Sequence, residues 1–195
     1  MMSANAGSNA MDLQASAFEP LRMFLINEKI PEQEWPVLTE IAEKELPGQH
    51  ENVLTQPLLT KALADHHVGT PNILPPLQVD DDIEHHRYYR AINMIVNDKV
   101  VELGLIIVNT SALPEDFNKK LREAKTPFGT MLLEQGIKTL SPTKRFFKTN
   151  CDQHLSHYLK CEQGKLVYGR TNTIVREETQ VWLAHVVEIL NGSEK

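Results

Sequence analysis

The sequence predicts an α+β domain in which a mostly antiparallel sheet carries helices on one side. Two β-rich segments, residues 88–96 and 100–110, are separated by the turn-forming residues 97–99, which is typical of a hairpin. Segments with apolar residues at helical spacing precede and follow this hairpin. Because strands joined by hairpins are antiparallel, these segments predict one sheet with helices packed against it.

The N-terminal part is predicted to be helical. Residues 11–47 contain two such segments, and the second, residues 32–46, places Trp35, Leu38 and Ile41 on one stripe. The dipeptide at 47–48 ends this segment, and residues 58–67 then form a short helix with Thr55 as its N-cap. These elements are extra helices ahead of the sheet.

The remaining elements alternate between helix and strand. Prolines interrupt residues 72–82, so we expect only an edge strand there. Helices are predicted at 117–124 and 128–135, strands at 143–150 and 165–175, and a short helix or turn at 154–161. Residues 177–190 are predicted as an extra C-terminal helix, because Val181, Ala184 and Val187 recur at a spacing of three.

Length and composition bound the class of protein. A chain of 195 residues suits one domain, and residues 1–10, which are small, polar and uncharged, are typical of an expression scar, so the domain is set at 11–195. The net charge of −6 disfavours nucleic acid as a partner, and no apolar run reaches the length of a membrane span. Two cysteines are too few for a disulfide scaffold, which favours a reducing cytoplasm. We expect a cytoplasmic monomer or homodimer.

A cysteine and histidine cluster between residues 151 and 161 has to be weighed as a metal site. Cys151, His154, His157 and Cys161 would share about a third of the circumference of a helix, and zinc accepts both residue types. Structural zinc sites usually draw their ligands from two separated pairs, which one helix does not provide. We therefore interpret the cluster as a half-buried helix face and predict no metal.

The most specific motif begins at Arg90 and ends at Gly129. Arg90 opens the hairpin, Ser111-Ala112-Leu113 follows it, and Thr126-Pro127-Phe128-Gly129 comes after a helix. This order resembles the chorismate pyruvate-lyase family, in which an arginine, a hairpin and a T-P-L-G turn occur at the same interval. Weaker similarities at 58–61 and 164–167 extend the resemblance over about residues 55–175.

The resemblance implies a chorismate-lyase-like fold and a site that needs no cofactor. Family members remove pyruvate from chorismate to give 4-hydroxybenzoate. By resemblance, the Arg90 guanidinium pairs with the substrate carboxylate, for which its fork of donors is suited. Backbone amides at Phe128 and Gly129, at a helix start, would bind the same carboxylate, and Leu59 would add a similar contact. The implied ligand is a small aromatic carboxylate.

The sequence departs from the family at the opposite end of the site. The family's glutamate on the last strand falls at Thr171 or Asn172, neither of which is a carboxylate acid or base. A second arginine common in the lyases falls at Leu105.

Three hypotheses about function follow. The first is a chorismate-lyase-type enzyme that uses Arg90 with Asn172 or Thr171. The second is a non-catalytic binding module, since the same fold serves as an effector-binding domain in some transcription regulators. The third is a related reaction on another aromatic acid.

Overall fold

In a computed structural model, the described part of the chain covers residues 9–56 and 59–192. Its α-helices are α1 (Glu19–Asn27), α2 (Gly48–Leu54), α3 (Leu59–His67), α4 (Glu115–Arg122), α5 (Phe128–Glu134) and α6 (Gln153–Leu159). Its strands are β1 (Thr39–Ile41), β2 (Pro71–Ile73), β3 (Gln78–Asp82), β4 (Arg87–Val96), β5 (Lys99–Asn109), β6 (Thr139–Leu140), β7 (Arg145–Asn150), β8 (Leu166–Arg176) and β9 (Trp182–Leu190).

All the strands belong to one antiparallel sheet, which confirms the predicted fold class. The order is β1-β7-β8-β9-β5-β4-β2, with β3 pairing to β4 and β6 to β8. The long strands β4, β5, β9 and β8 form its centre. Side chains at alternate positions of these four strands therefore lie in rows across one face.

The β4–β5 hairpin is confirmed at its predicted turn. Asn97 and Asp98 both adopt positive φ, 52° and 61°, as a two-residue type I′ turn requires. Next to the turn, Val96 pairs with Lys99 and Ile95 with Val100, but a bulge between Met94 and Ile95 shifts the pairing by one residue. Beyond the bulge the register is regular, and Arg90 lies opposite Ile106.

Helices cover both faces of the sheet. On one face, residues of α1 and α6 pack with the odd-numbered residues of β5 in a core that includes Leu21, Leu103 and Leu155. On the other face, two clusters hold α2 with α3 and α4 with α5. A space between these two helix pairs, above the centre of the sheet, becomes the cavity described below. The sequence predicted helices on one side of the sheet only. In the structure, α1 and α6 form a second layer on the other side.

The predicted C-terminal helix is wrong, because residues 182–190 form the central strand β9. This strand pairs with β5 on one side and β8 on the other, and it is buried on both faces. A strand buried on both faces is apolar at nearly every position, so it also contains apolar residues at helical spacing. Val187 and Ile189 face α1, whereas Val186 faces α5.

The second predicted N-terminal helix, residues 32–46, is also wrong. It consists of two short 3₁₀ turns on either side of β1, which pairs with β7. The Trp35 indole donates a hydrogen bond to the Ile30 carbonyl, and Leu38 is buried in the core under α1. Helix α2 instead begins at Gly48, where the sequence predicted a stop, and Thr55 is its C-cap residue. Tertiary pairing overrides the apolar spacing here.

The cysteines are joined rather than reduced. A disulfide links Cys151 and Cys161 across α6, and both residues are buried. The pairing takes both sulfurs out of a zinc ligand set, and it removes the basis on which the cysteine count favoured a reducing compartment. Helix α6 itself is confirmed, with Asp152 capping it by accepting a hydrogen bond from the Leu155 amide.

Within residues 9–56 and 59–192, no helix combines the length and apolar character needed to cross a membrane.

Candidate functional site

A cavity of about 450 Å³ lies between the centre of the sheet and helices α3 and α5. Its floor consists of two rows of side chains that run across β4, β5, β9 and β8. The first row is Arg90, Ile106, Val186 and Asn172, and the second is Ile92, Gly104, Glu188 and Arg170. The start of α3 and the turn into α5 form its walls.

Arg90 is buried in the first row, and only one of its terminal nitrogens has a protein partner. Its Nη2 donates to the Thr126 carbonyl at 2.9 Å, whereas Nε and Nη1 have no partner among the described residues, although the side chain is only 2% exposed. Burial lowers the pKa of Arg90 from its ordinary value, but an arginine remains cationic. Two donors of a buried cation are thus left for an anion in the cavity.

The Tyr88 hydroxyl lies beside this guanidinium. Burial raises the pKa of Tyr88, and the charge of Arg90 acts in the opposite direction. The two side chains are close enough for a weak hydrogen bond to affect the pKa of each, but no hydrogen bond of ordinary geometry joins them, and the Tyr88 hydroxyl has no other partner among the described residues. The phenol is therefore a neutral donor near the same end of the cavity.

The turn from Thr126 to Gly129 lies against Arg90, as the motif predicts. Pro127, Phe128 and Gly129 line the cavity, and Phe128 begins α5. The Thr126 side chain does not cap the helix; its carbonyl instead accepts the Arg90 hydrogen bond. The first backbone amides of a helix lack partners within that helix, so those of Phe128 and Gly129 are free to bind a ligand.

The pleat of β8 separates the two candidates for the glutamate position. Asn172 faces the cavity, where its Nδ2 donates to the Ser141 hydroxyl at 2.9 Å and its Oδ1 has no partner among the described residues. Thr171 points to the opposite face and donates to the Ala17 carbonyl at 2.9 Å. Successive strand residues point to opposite faces. Thr171 thus lies outside the cavity, and of the two candidates only Asn172 faces it.

Leu59 also lies where the resemblance predicts. It is the first residue of α3 and lines the cavity together with Thr60 and Lys61. Pro57 and Leu58, part of the same predicted helix start, lie outside the described residues. The structure therefore brings Arg90, Phe128, Gly129, Leu59 and Asn172 around one cavity.

The sequence missed an ionic cluster at the other end of the floor. Arg170 is 3% exposed, and its Nε donates to Glu188 Oε2 at 2.7 Å. Its Nη1 donates to the carbonyls of Leu54 and Gln56, at 2.8 and 2.7 Å, so it also ties down the chain that leads into α3. Arg170 is thus a second arginine in the cavity, although it lies on β8 and not on β5, where the resemblance places the second family arginine.

Glu102 completes this cluster from β5. It is 4% exposed and lines the cavity. Burial raises the pKa of Glu102 well above its usual range, and the negative charge of Glu188 acts in the same direction. Both glutamates interrupt long apolar runs, which is the signal that sequence reasoning overlooked. Leu105, where the second family arginine falls, packs in the core under α1.

Solved structures with a similar fold come from bacterial proteins. PhnF from Mycobacterium smegmatis matches with a TM-score of 0.54 and 11% identity, over 71% of this chain and 65% of that one. The effector domain of PhnF matches with 0.51 and 12%, over 70% and 92%. YydK from Bacillus subtilis, described as a possible transcriptional regulator, matches with 0.51 and 12%, over 71% and 63%.

These likenesses show the fold, which is the chorismate-lyase-like fold that the sequence predicts. This chain spans about two thirds of the length of the PhnF and YydK chains. No protein-family model matches the sequence, and no curated protein matches it either.

Proposed function

We propose that this chain is a non-catalytic module that binds a small organic acid, with the acid group on Arg90. The observation that carries the proposal is the buried guanidinium of Arg90, which lines the cavity and whose Nε and Nη1 have no protein partner among the described residues. A buried donor left unpaired is unfavourable by about 1–3 kcal/mol, and by more when it is charged. An anionic ligand would remove this penalty through a charge-assisted hydrogen bond pair.

The rest of the cavity supports an apolar body for the ligand. Apolar side chains line it, among them Ile92, Ile106, Phe128, Leu132 and Val186. A volume of about 450 Å³ lies within the range of about 300–1,000 Å³ typical of small-molecule sites. These features suit a small aromatic carboxylate, and the fold shared with the effector domain of PhnF supports binding rather than chemistry.

The geometry gives little support to pyruvate elimination from chorismate. The first row places Asn172 where the family has its glutamate, and a carboxamide does not transfer protons at neutral pH. Glu188 is engaged by Arg170, and Glu102, the other cavity carboxyl group, lies on β5 two rows of side chains away from the row of Asn172. Incubation with chorismate should therefore give no 4-hydroxybenzoate above the uncatalysed rate, as measured by chromatography. Product formation that disappears in Arg90→Met would restore the enzyme hypothesis.

The binding proposal is tested by thermal-shift titration with 4-hydroxybenzoate and other benzoic acids. A ligand that binds only the folded chain raises the midpoint temperature of unfolding. At a ligand concentration of one hundred times Kd, it adds about 2.7 kcal/mol to the free energy of unfolding. Arg90→Met should abolish the shift. The matched control is Arg87→Met, because Arg87 lies on the same strand but points away from the cavity and pairs with Glu19. Absence of any shift with every acid tested would refute the proposal.

Two further predictions, on nucleic-acid binding and on oligomeric state, can be measured directly. We expect no nucleic acid to bind, given the net charge of −6. Size-exclusion chromatography with light scattering would distinguish the predicted monomer from the predicted homodimer.

A further inference from the structure

The ionic cluster at the far end of the cavity contains more carboxyl groups than it can neutralise itself. Glu188 lies opposite Gly104, and Glu102 is two residues along β5 on the same face. The two glutamates are therefore diagonal neighbours, whose side chains are within reach of each other. Arg170 pairs with Glu188 through Nε and donates through Nη1 to two carbonyls, and none of these hydrogen bonds reaches Glu102, although the charge of Arg170 lowers the pKa of Glu102.

Glu102 has no hydrogen-bond donor among the described residues, although it is almost fully buried. Gly104 makes room for its carboxyl group, because a Cβ at that position would lie 3.2 Å from Glu102 Oε1. The carboxyl group thus lies over the cavity floor instead of against a protein donor. Lys144 and Glu43 lie further out: the charges of Arg170 and Glu188 affect the pKa of Lys144, but no ion pair joins Lys144 to the cluster.

Arg90 and Glu102 therefore mark two opposite ends of one cavity. Arg90 pairs with Ile106, which lies four residues from Glu102 along β5. At about 3.4 Å per residue and about 4.8 Å between strands, their Cα atoms are roughly 14 Å apart. Apolar side chains lie between them. One end offers donors of a cation without an anion, and the other offers a carboxyl group without a donor.

We propose that the ligand is amphoteric: a small acid that also carries a protonated nitrogen, with its carboxylate on Arg90 and its nitrogen on Glu102. This inference rests on the proposed binding function and narrows its ligand class. Burial and the charge of Glu188 favour the protonated form of Glu102 in the empty cavity. A cationic nitrogen would supply both a donor and the positive charge that stabilises the Glu102 carboxylate, whereas a neutral hydroxyl would supply a donor but no charge to offset the burial of a carboxylate.

The test compares ligands that differ only at the far end. Dissociation constants are measured by calorimetry for 4-(aminomethyl)benzoate, 4-(hydroxymethyl)benzoate and 4-ethylbenzoate, and for 6-aminohexanoate against heptanoate. The wild-type chain should bind each amine at least tenfold more tightly than the matched acids whose far end is uncharged. Glu102→Gln should remove this preference and leave the affinity for 4-ethylbenzoate within twofold. Glu123→Gln, an exposed position at the end of α4, is the control and should change nothing.

The outcomes separate this inference from the function on which it rests. Equal affinity for the amine and its counterparts in the wild-type chain would overturn the amphoteric ligand but keep acid binding on Arg90. A preference that persists in Glu102→Gln would overturn the role of Glu102. If no acid of either kind binds, both the binding function and its ligand class are wrong. The wild-type comparison needs no variant, so it decides the ligand class even if Glu102→Gln folds poorly.

Discussion

Arg90→Met should stabilise the ligand-free chain while it abolishes acid binding. The wild-type guanidinium has two buried donors without a partner among the described residues, and each is unfavourable by at least about 1 kcal/mol. Their charge adds a desolvation penalty. Against this, the variant loses the hydrogen bond to Thr126, a net contribution of about 1 kcal/mol. The free energy of unfolding should therefore rise by about 1–2 kcal/mol.

A matched arginine should respond in the opposite direction. Arg170 is as deeply buried as Arg90, but it pairs with Glu188 and two backbone carbonyls. Removing one partner of a buried ion pair is unfavourable by about 3–5 kcal/mol, because the other charge is left alone. Arg170→Met should therefore be strongly destabilised, whereas Arg90→Met should not.

Urea unfolding followed by circular dichroism measures both variants, with thermal melts as a second readout. For a chain of this size, 1 kcal/mol corresponds to about 2–4 °C in Tm. Arg90→Met should melt about 2–8 °C higher than the wild type and show no shift with benzoic acids. A destabilised Arg90→Met that still responds to acids would mean that Arg90 is a structural residue, and the assignment of the site would fail.

Three further predictions concern the rest of the molecule. The Cys151–Cys161 disulfide closes a loop of about ten residues, so its reduction should lower stability by about 2.7 kcal/mol; a reductant should lower Tm in the wild type but not in a variant with both cysteines changed to alanine, and an unchanged wild-type Tm would contradict this. Gly169→Ala should destabilise by about 3 kcal/mol in urea unfolding, because its Cβ would lie 2.6 Å from the Phe147 ring and would clash with a β9 carbonyl; a loss below about 1 kcal/mol would show that the sheet adjusts. Burial raises the pKa of Glu102 above its unfolded value, so wild-type stability should fall as pH rises from about 4.5 through the folded pKa. Glu102→Gln should remove that part of the slope, which parallel urea titrations across this pH range would detect.

The sequence by itself determined the turn of the central hairpin and the motif at the Arg90 end of the cavity. Asn97 and Asp98 tolerate positive φ, so they predict the turn that joins β4 to β5, although the bulge between Met94 and Ile95 sets the register at Arg90. The motif at 126–129 likewise predicts a helix start, since its proline precedes α5. These features depend on local backbone preferences, and a motif can therefore reveal them.

Only the tertiary structure decided which residues form the ionic cluster at the far end of the cavity and which strand residues face the cavity. Residues 182–190 carry apolar side chains at both helical and strand spacing, and their position between β5 and β8 selects the strand. That choice brings Glu188 beside Arg170 and Glu102, which are distant in sequence. The pleat of β8 likewise turns Asn172 toward the cavity and Thr171 away from it. Pairing partners decide these positions, because one residue of register reverses the face to which every side chain of a strand points.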